Sequence, residues 1–213
     1  MTLCLFDLDG TLIDSEEGIF AGVRHSLSVV GGPAIDNESL RAWVGPPLRY
    51  SFAQVLDNDA ERIELAIDAY SQRFQQIGWS EHRVYDGIPE TMAELVAAGH
   101  TLAIVTSKVR PHAEVIAKHL PFGHLFTRLY APGPETTRSE KADMIAQALA
   151  DFGSVPTDAV MVGDRRFDIE GAVENNVRGI GVLWGFGSRE ELNDAGAASI
   201  ASTPAELIAL IGG

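Results

Sequence analysis

Four apolar residues, Leu3-Cys4-Leu5-Phe6, are cut off abruptly by Asp7-Leu8-Asp9-Gly10-Thr11. A run this short, ended by acid and glycine, predicts a buried strand with a loop at its C-terminal end. A four-residue strand is not stable alone, so the rest of its sheet has to come from later in the chain. It comes after residue 85, where apolar runs at 102–105, 125–130, 159–162, 179–183 and 199–200 alternate with helical spacings at about 88–98, 108–120, 141–152, 167–175 and 204–210. Alternation of this kind predicts an α/β fold, a doubly wound parallel sheet.

Between the first strand and the rest lies a different texture. Ile19, Phe20, Val23, Leu27 and Val30 recur at helical spacing, and Gly31-Gly32-Pro33 ends that helix. Leu40, Trp43 and Val44 suggest a second helix, and Phe52, Val55 and Leu56 a third. Ile63, Leu65, Ala66, Ala69, Tyr70, Phe74 and Ile77 suggest a longer fourth. No convincing strand occurs there. Residues 15–83 therefore read as an all-helical insertion, and residues 1–14 with 84–213 as one α/β domain.

The balance of 16 Lys+Arg against 30 Asp+Glu leaves a formal charge of −14. Such a surface repels nucleic acid polymers and anionic membranes, so neither is expected as a partner. It also repels anionic substrates, so a phosphate substrate requires a local device that reverses the sign. With 46% hydrophobic and 22% charged residues the chain is of the globular kind. The single cysteine, Cys4, forms no internal disulfide and reads as a buried strand residue. No apolar run approaches the ~20 residues of a membrane span. The first residues lack the basic region of a signal peptide, and a cytoplasmic protein is expected. No apolar stripe is clear enough to argue an oligomeric state.

In a parallel sheet, ligands bind outside the C-terminal ends of the strands. Asp7 and Asp9 stand there, as do Thr106 and Ser107 after the second strand, and Gly163, Asp164 and then Asp168 after the strand at 159–162. The polar loop Pro132–Glu140 leads into Lys141 at a helix start. Each has a plainer reading. Asp164 and Thr106 alone read as helix caps, and Lys141 alone as a solvated surface charge. Asp7 and Asp9 are harder to dismiss, because alternation sets residues i and i+2 on the same side. Two carboxylates ~4 Å apart repel by about 4 kcal/mol at an effective dielectric near 20. Together the residues fit one chemistry: carboxylates converging on a hard cation such as Mg²⁺, with hydroxyl, amide and lysine left for a phosphate.

Asp7-Leu8-Asp9-Gly10-Thr11-Leu12-Ile13-Asp14 resembles the first motif of the haloacid dehalogenase-like superfamily. Val105-Thr106-Ser107-Lys108 resembles its second, Lys141 its third, and Val162-Gly163-Asp164-Arg165-Arg166-Phe167-Asp168 its fourth. Val84-Tyr85-Asp86-Gly87-Ile88 and Gly181-Val182-Leu183-Trp184-Gly185-Phe186-Gly187-Ser188 resemble the phosphoglycolate phosphatase and 5′-nucleotidase-like branch. The resemblance implies a doubly wound core with an inserted helical cap, and Mg²⁺-dependent hydrolysis of a small phosphorylated metabolite. It implies Asp7 as nucleophile forming an aspartyl-phosphate, and Asp9 as general acid, then base. It implies Thr106 and the Ser107 amide on the phosphoryl group, and Lys141 balancing charge. The side chains of Asp7 and Asp164 and the Asp9 carbonyl would hold the metal, with Asp168 supporting it directly or through water. A dehalogenase has no use for an acid at position 9. Ser107 stands where many relatives have Asn, and Ala142 where a proline often follows the lysine; neither removes a needed group.

Other readings stay open at this point. A phosphoglycolate phosphatase-like activity is the first reading and a 5′-nucleotidase acting on nucleoside monophosphates the alternative, while a phosphosugar mutase, a phospho-acceptor domain or an inactive binding protein would share much of the pattern. A cysteine phosphatase would need an arginine where Gly10 stands, and neither a P-loop nor a dinucleotide fingerprint occurs. In the cap, Gly45-Pro46-Pro47-Leu48-Arg49 suggests a rigid substrate loop. There Arg49 could meet a substrate carboxylate or base, or simply be an exposed helix residue. Trp43 and Trp79 could stack on a base or pack in the core.

Overall fold

The computed structural model describes residues 1–137 and 140–212. Arg138 and Ser139 of the loop before Lys141 lie outside the described residues. Six parallel strands form the main sheet: β1 (Leu3–Phe6), β4 (Thr101–Val105), β5 (Phe126–Tyr130), β6 (Ala159–Gly163), β7 (Arg178–Val182) and β8 (Ser199–Ala201). Their order across the sheet is β5-β4-β1-β6-β7-β8. The chain thus starts in the middle, builds outward to one side, then returns to build the other. The reversal leaves a crevice at the C-terminal ends of β4, β1 and β6.

The strands read as continuous apolar runs because both faces are covered. Cys4 and Phe6 share a cluster with Leu102, Ile104, Val160 and Val162, under helices α5 (Ile88–Ala97), α6 (Arg110–His119) and α10 (Glu206–Gly212). Leu3 and Leu5 point the other way, with Ala103, Val105 and Met161, toward α7 (Lys141–Phe152) and α8 (Arg166–Glu174). A short helix α9 (Arg189–Asp194) precedes the last strand.

Four helices fill the chain between residues 16 and 76: α1 (Glu16–Val29), α2 (Asn37–Arg41), α3 (Leu48–Val55) and α4 (Ala60–Gln76). Asp36 and Asp59 cap α2 and α4 by accepting the amides of Ser39 and Arg62. α1 and α4 pack closely: a Cβ at Gly22 would fall 2.5 Å from the Tyr70 ring. Leu65 and Ile77 lie in solvent, so the apolar face of α4 is narrower than the sequence suggests.

Two short strands, which no sequence pattern predicts, lie at the two ends of the helical block. β2 (Ile13–Asp14) and β3 (Arg83–Val84) pair antiparallel, Ile13 with Val84 and Asp14 with Arg83. Arg83 Nη2 donates to Asp14 Oδ2 at 2.7 Å across the pair. The chain therefore leaves for the helices and returns from them through one ribbon. Two residues per strand give no periodicity, so only the pairing defines it. No helix among the described residues is long and apolar enough to cross a membrane.

Gly→Ala in a helix interior normally stabilises by up to ~1 kcal/mol. At Gly22 the sign is reversed. Gly22→Ala is expected to destabilise by about 1–3 kcal/mol through overpacking against Tyr70. Urea midpoints of the two proteins at equal m-value check it.

Candidate active site

The register carries the catalytic candidates to the crevice. Phe6 pairs with Ile104 on one side and Val162 on the other, so the next residue of each strand opens the rim. Asp7 N donates to Val162 O at 2.9 Å, and Thr106 N to Tyr130 O at 3.0 Å. The loop after Asp7 turns back at once: the Leu12 and Ile13 amides both reach Leu8 O. Gly10 makes the turn at φ +83°, and a Cβ there would lie 2.2 Å from Asp164 Oδ2. Only glycine lets this loop lie against that carboxylate.

Asp7, Asp164 and Asp168 converge, each offering an oxygen within 4.8 Å of the others. All three are buried, at 4%, 0% and 1% exposure. Lys141, at the start of α7 and 2% exposed, closes the cluster. Its Nζ is 2.6 Å from Asp7 Oδ1, 2.6 Å from Asp168 Oδ1 and 2.7 Å from Val105 O. It is no solvated surface charge.

Asp9 faces elsewhere. Its Oδ2 lies 3.0 Å from Lys108 Nζ. The repulsion expected between Asp7 and Asp9 is thus met by giving each carboxylate its own ammonium group.

The capping role falls to Asp168, not Asp164. Asp168 Oδ2 accepts Arg165 N at 3.1 Å, reaching back over the first turn of α8. Asp164 instead accepts Phe186 N on Oδ2 at 2.8 Å and the Thr11 hydroxyl on Oδ1 at 3.3 Å. The loop that supplies Phe186 hugs Asp164, since Cβ atoms at Gly185 or Gly187 would fall 2.5 and 1.8 Å from its atoms. Thr106 is buried and its Oγ1 accepts Lys108 N at 3.2 Å; Ser107 lines the same pocket.

Burial pushes Asp7 up to about 7, against the downward pull of Lys141. Burial likewise raises Asp164 well above the carboxylate range, and Asp168 and Asp7 push it further the same way. The cause is plain: three carboxylates share a dry pocket with one lysine. An oxygen-only donor set of this charge fits a hard divalent cation, which would bring the cluster to neutrality.

Above this rim, α4 and the segment from Trp43 to Arg49 wall a pocket lined by Trp43, Leu48, Ile67, Tyr70 and His112. Arg49 is not an exposed helix residue, for its side chain is only 11% exposed. Its guanidinium is engaged by Glu64 and, at 3.7 Å, by Glu135. Trp43 packs edge-on against Phe52, 5.2 Å between centroids, and also lines the pocket. Trp79 lies outside this wall, against His119 at 4.5 Å. Cys4 is buried and its thiol is pushed up to about 12 by burial, so it supplies no thiolate.

Sequence reasoning missed two contributors. Lys108 stood in a quoted motif but received no role, because its partner is Asp9, a residue remote in sequence. The Phe186 amide carries no side-chain signal at all; the flanking glycines were the only trace.

The haloacid dehalogenase-like hydrolase profile matches residues 4–182. A 5′-nucleotidase of Pseudomonas aeruginosa is 42% identical over 88% of this chain and 85% of its own length. A tyrosine-protein kinase, PtkA, of Mycobacterium tuberculosis is 37% identical over 87% of this chain; the match spans 63% of that protein. The crystal structure of a predicted phosphatase from Clostridium acetobutylicum superposes with a TM-score of 0.91 at 39% identity, covering 99% of this chain and 97% of that one.

The raised Asp7 has a measurable consequence when divalent cations are removed. Between the unfolded value of 3.8 and the folded value of about 7, native Asp7 keeps a proton that the unfolded chain releases. Stability therefore falls as pH rises through that window. Asp7→Asn abolishes this contribution. In EDTA its Tm should match wild type near pH 4 and exceed it at pH 7.5, and added Mg²⁺ should raise the wild-type Tm more than the variant's.

Proposed function

Because the chain belongs to the haloacid dehalogenase-like hydrolases, we propose that Asp7 is the nucleophile of a two-step phosphomonoester hydrolysis. The chain is a phosphatase of this family, related to phosphatases along nearly its whole length. The observation that carries the assignment of Asp7 is its convergence with Asp164 and Asp168 around the Lys141 ammonium group, 2.6 Å from its carboxylate.

In the first step an Asp7 oxygen attacks phosphorus, the ester P–O bond breaks, and the Asp9 carboxyl gives its proton to the leaving oxygen. In the second step water attacks the aspartyl-phosphate, Asp9 takes the water's proton, and the Asp7 O–P bond breaks to release phosphate. Lys141 holds Asp7 in place and offsets charge as the phosphoryl group arrives. The Thr106 hydroxyl and Ser107 amide bind the phosphoryl oxygens. Hydrolases of this family generally use a divalent metal. We assign Mg²⁺ to the Asp7 and Asp164 carboxylates and the Asp9 carbonyl, with Asp168 supporting, where it would neutralise phosphate charge. These devices reverse the sign of an otherwise acidic chain.

We read residues 1–14 and 84–213 as the core and 15–83 as a cap joined through the β2–β3 ribbon. Of the substrates that the sequence leaves open, the pocket favours a nucleoside 5′-monophosphate over phosphoglycolate. Trp43 and Tyr70 offer flat apolar surface suited to a base. Arg49, the group that would meet a small carboxylate, is engaged by Glu64 and Glu135. The relative named a 5′-nucleotidase supports the same choice.

Phosphate release with Mg²⁺ and with EDTA tests the reaction, over nucleoside monophosphates, phosphoglycolate, sugar phosphates and pyrophosphate. Release from nucleoside monophosphates should depend on Mg²⁺ and fall on the order of a thousandfold or more in Asp7→Asn, since the nucleophile is lost. Sugar-phosphate interconversion without phosphate release would instead mark a mutase. Ser71 lines the same pocket, on α4. Ser71→Trp should raise KM for nucleoside monophosphates about tenfold or more by filling the base site, and change kcat/KM for phosphoglycolate far less.

A further inference from the structure

Lys108 is a buried cation of the site with no part in the two steps above. It sits on the loop between β4 and α6, its side chain 8% exposed, with Nζ 3.0 Å from Asp9 Oδ2. The other carboxylate oxygen, Asp9 Oδ1, is buried and has no hydrogen-bond partner among the described residues. An ammonium group donating to Oδ2 keeps the acid's proton off that oxygen and leaves Oδ1 to carry it.

The seat of Lys108 is built from two parts of the molecule. Its own amide donates to Thr106 Oγ1, which pins the loop to the rim. Its Nζ lies 5.9 Å from the centre of the Phe74 ring, on α4. Phe74 in turn stacks on His112 of α6, with ring centres 3.9 Å apart and planes at 22°. The ammonium group is therefore set between Asp9 of the core and Phe74 of α4. Were α4 withdrawn, the cation would lose its aromatic wall and gain water, and Asp9 would lose its fixed partner.

We propose that Lys108 is a positioning residue that couples the docking of α4 to the orientation of Asp9, aiming Oδ1 at the leaving-group oxygen. The inference rests on the proposed role of Asp9 as general acid. It makes the proton donor competent only when the helices have closed over a substrate, which keeps Asp9 from serving in an open, wet site.

The test is the dependence of kcat/KM on the leaving group, which a merely structural role would not alter. A nucleoside monophosphate leaves as an alkoxide and needs the proton; p-nitrophenyl phosphate leaves as a phenolate and does not. In Lys108→Met, kcat/KM for the nucleotide should fall about a hundredfold and that for p-nitrophenyl phosphate less than about threefold. Lys108→Arg, which keeps the charge, should recover most of the nucleotide rate. Phe74→Leu should show the same selective loss more weakly, and Lys108→Met combined with it should lose no more than Lys108→Met alone. Equal losses on both esters, or none, overturn the proposal. If Lys108→Met does not fold, Phe74→Leu and Lys108→Arg decide it by the same ratio. A wild-type protein that releases no phosphate from either ester fails one stage earlier, and overturns the phosphatase mechanism on which this inference rests.

Discussion

Two lysines hold two aspartates at the heart of this molecule, and the rest of the fold is arranged so that they can. Asp7 meets Lys141 at 2.6 Å and Asp9 meets Lys108 at 3.0 Å. Without those ammonium groups, adjacent carboxylates in a dry crevice would take up protons or force the strand ends apart. The partners come from three places: the loop after β1 supplies both acids, the loop after β4 supplies one lysine, and the first residue of α7 supplies the other. Only a sheet that starts in its middle and builds to both sides sets those places around one point. The excess of cation over what the pairs need is nil, because Asp164 and Asp168 add two more carboxylates. The imbalance left over suits a divalent cation.

The parts of this design that are written locally were legible. Leu3–Phe6, Leu102–Val105 and Ala159–Val162 announce strands because short apolar runs buried on both faces have few other homes. Lys141 was legible as a helix start, and the acids after the strands as rim residues, because the position of a rim follows from the sheet. Written nonlocally, and so hidden, were the partners. Nothing near Lys108 in sequence says that its ammonium group meets Asp9, and nothing near Phe186 says that its amide meets Asp164. The β2–β3 ribbon is two residues deep on each side, too short for any period, and exists only as a pairing across the whole helical block. Arg49 shows the same limit: its position in a Gly-Pro-Pro loop was readable, its engagement by Glu64 and Glu135 was not.

Plainer readings of single residues deserve their place beside the functional ones. An acid capping a helix was the obvious alternative for Asp164, and the structure does contain that cap, but on Asp168. One carboxylate thus stabilises α8 with one oxygen and faces Lys141 with the other. Trp43 likewise packs in the core and lines the pocket. In a chain of 213 residues, structural and chemical duties fall on the same atoms, which is why a motif read residue by residue looks weaker than it is.

The central place of β1 also sets a clock on biosynthesis. The strand that leads into Asp7 leaves the ribosome early, yet the lysine that pairs with Asp7 follows 134 residues later, and Asp164 follows Thr11 by 153. At roughly 5–20 residues per second, several seconds pass during which the nascent chain carries its acids with no sheet to hold them. Helices α1 to α4 are complete in that interval and rely on short-range contacts, so they can collapse first. Asp7 is thus among the first residues of the site to be made and among the last to find its partner.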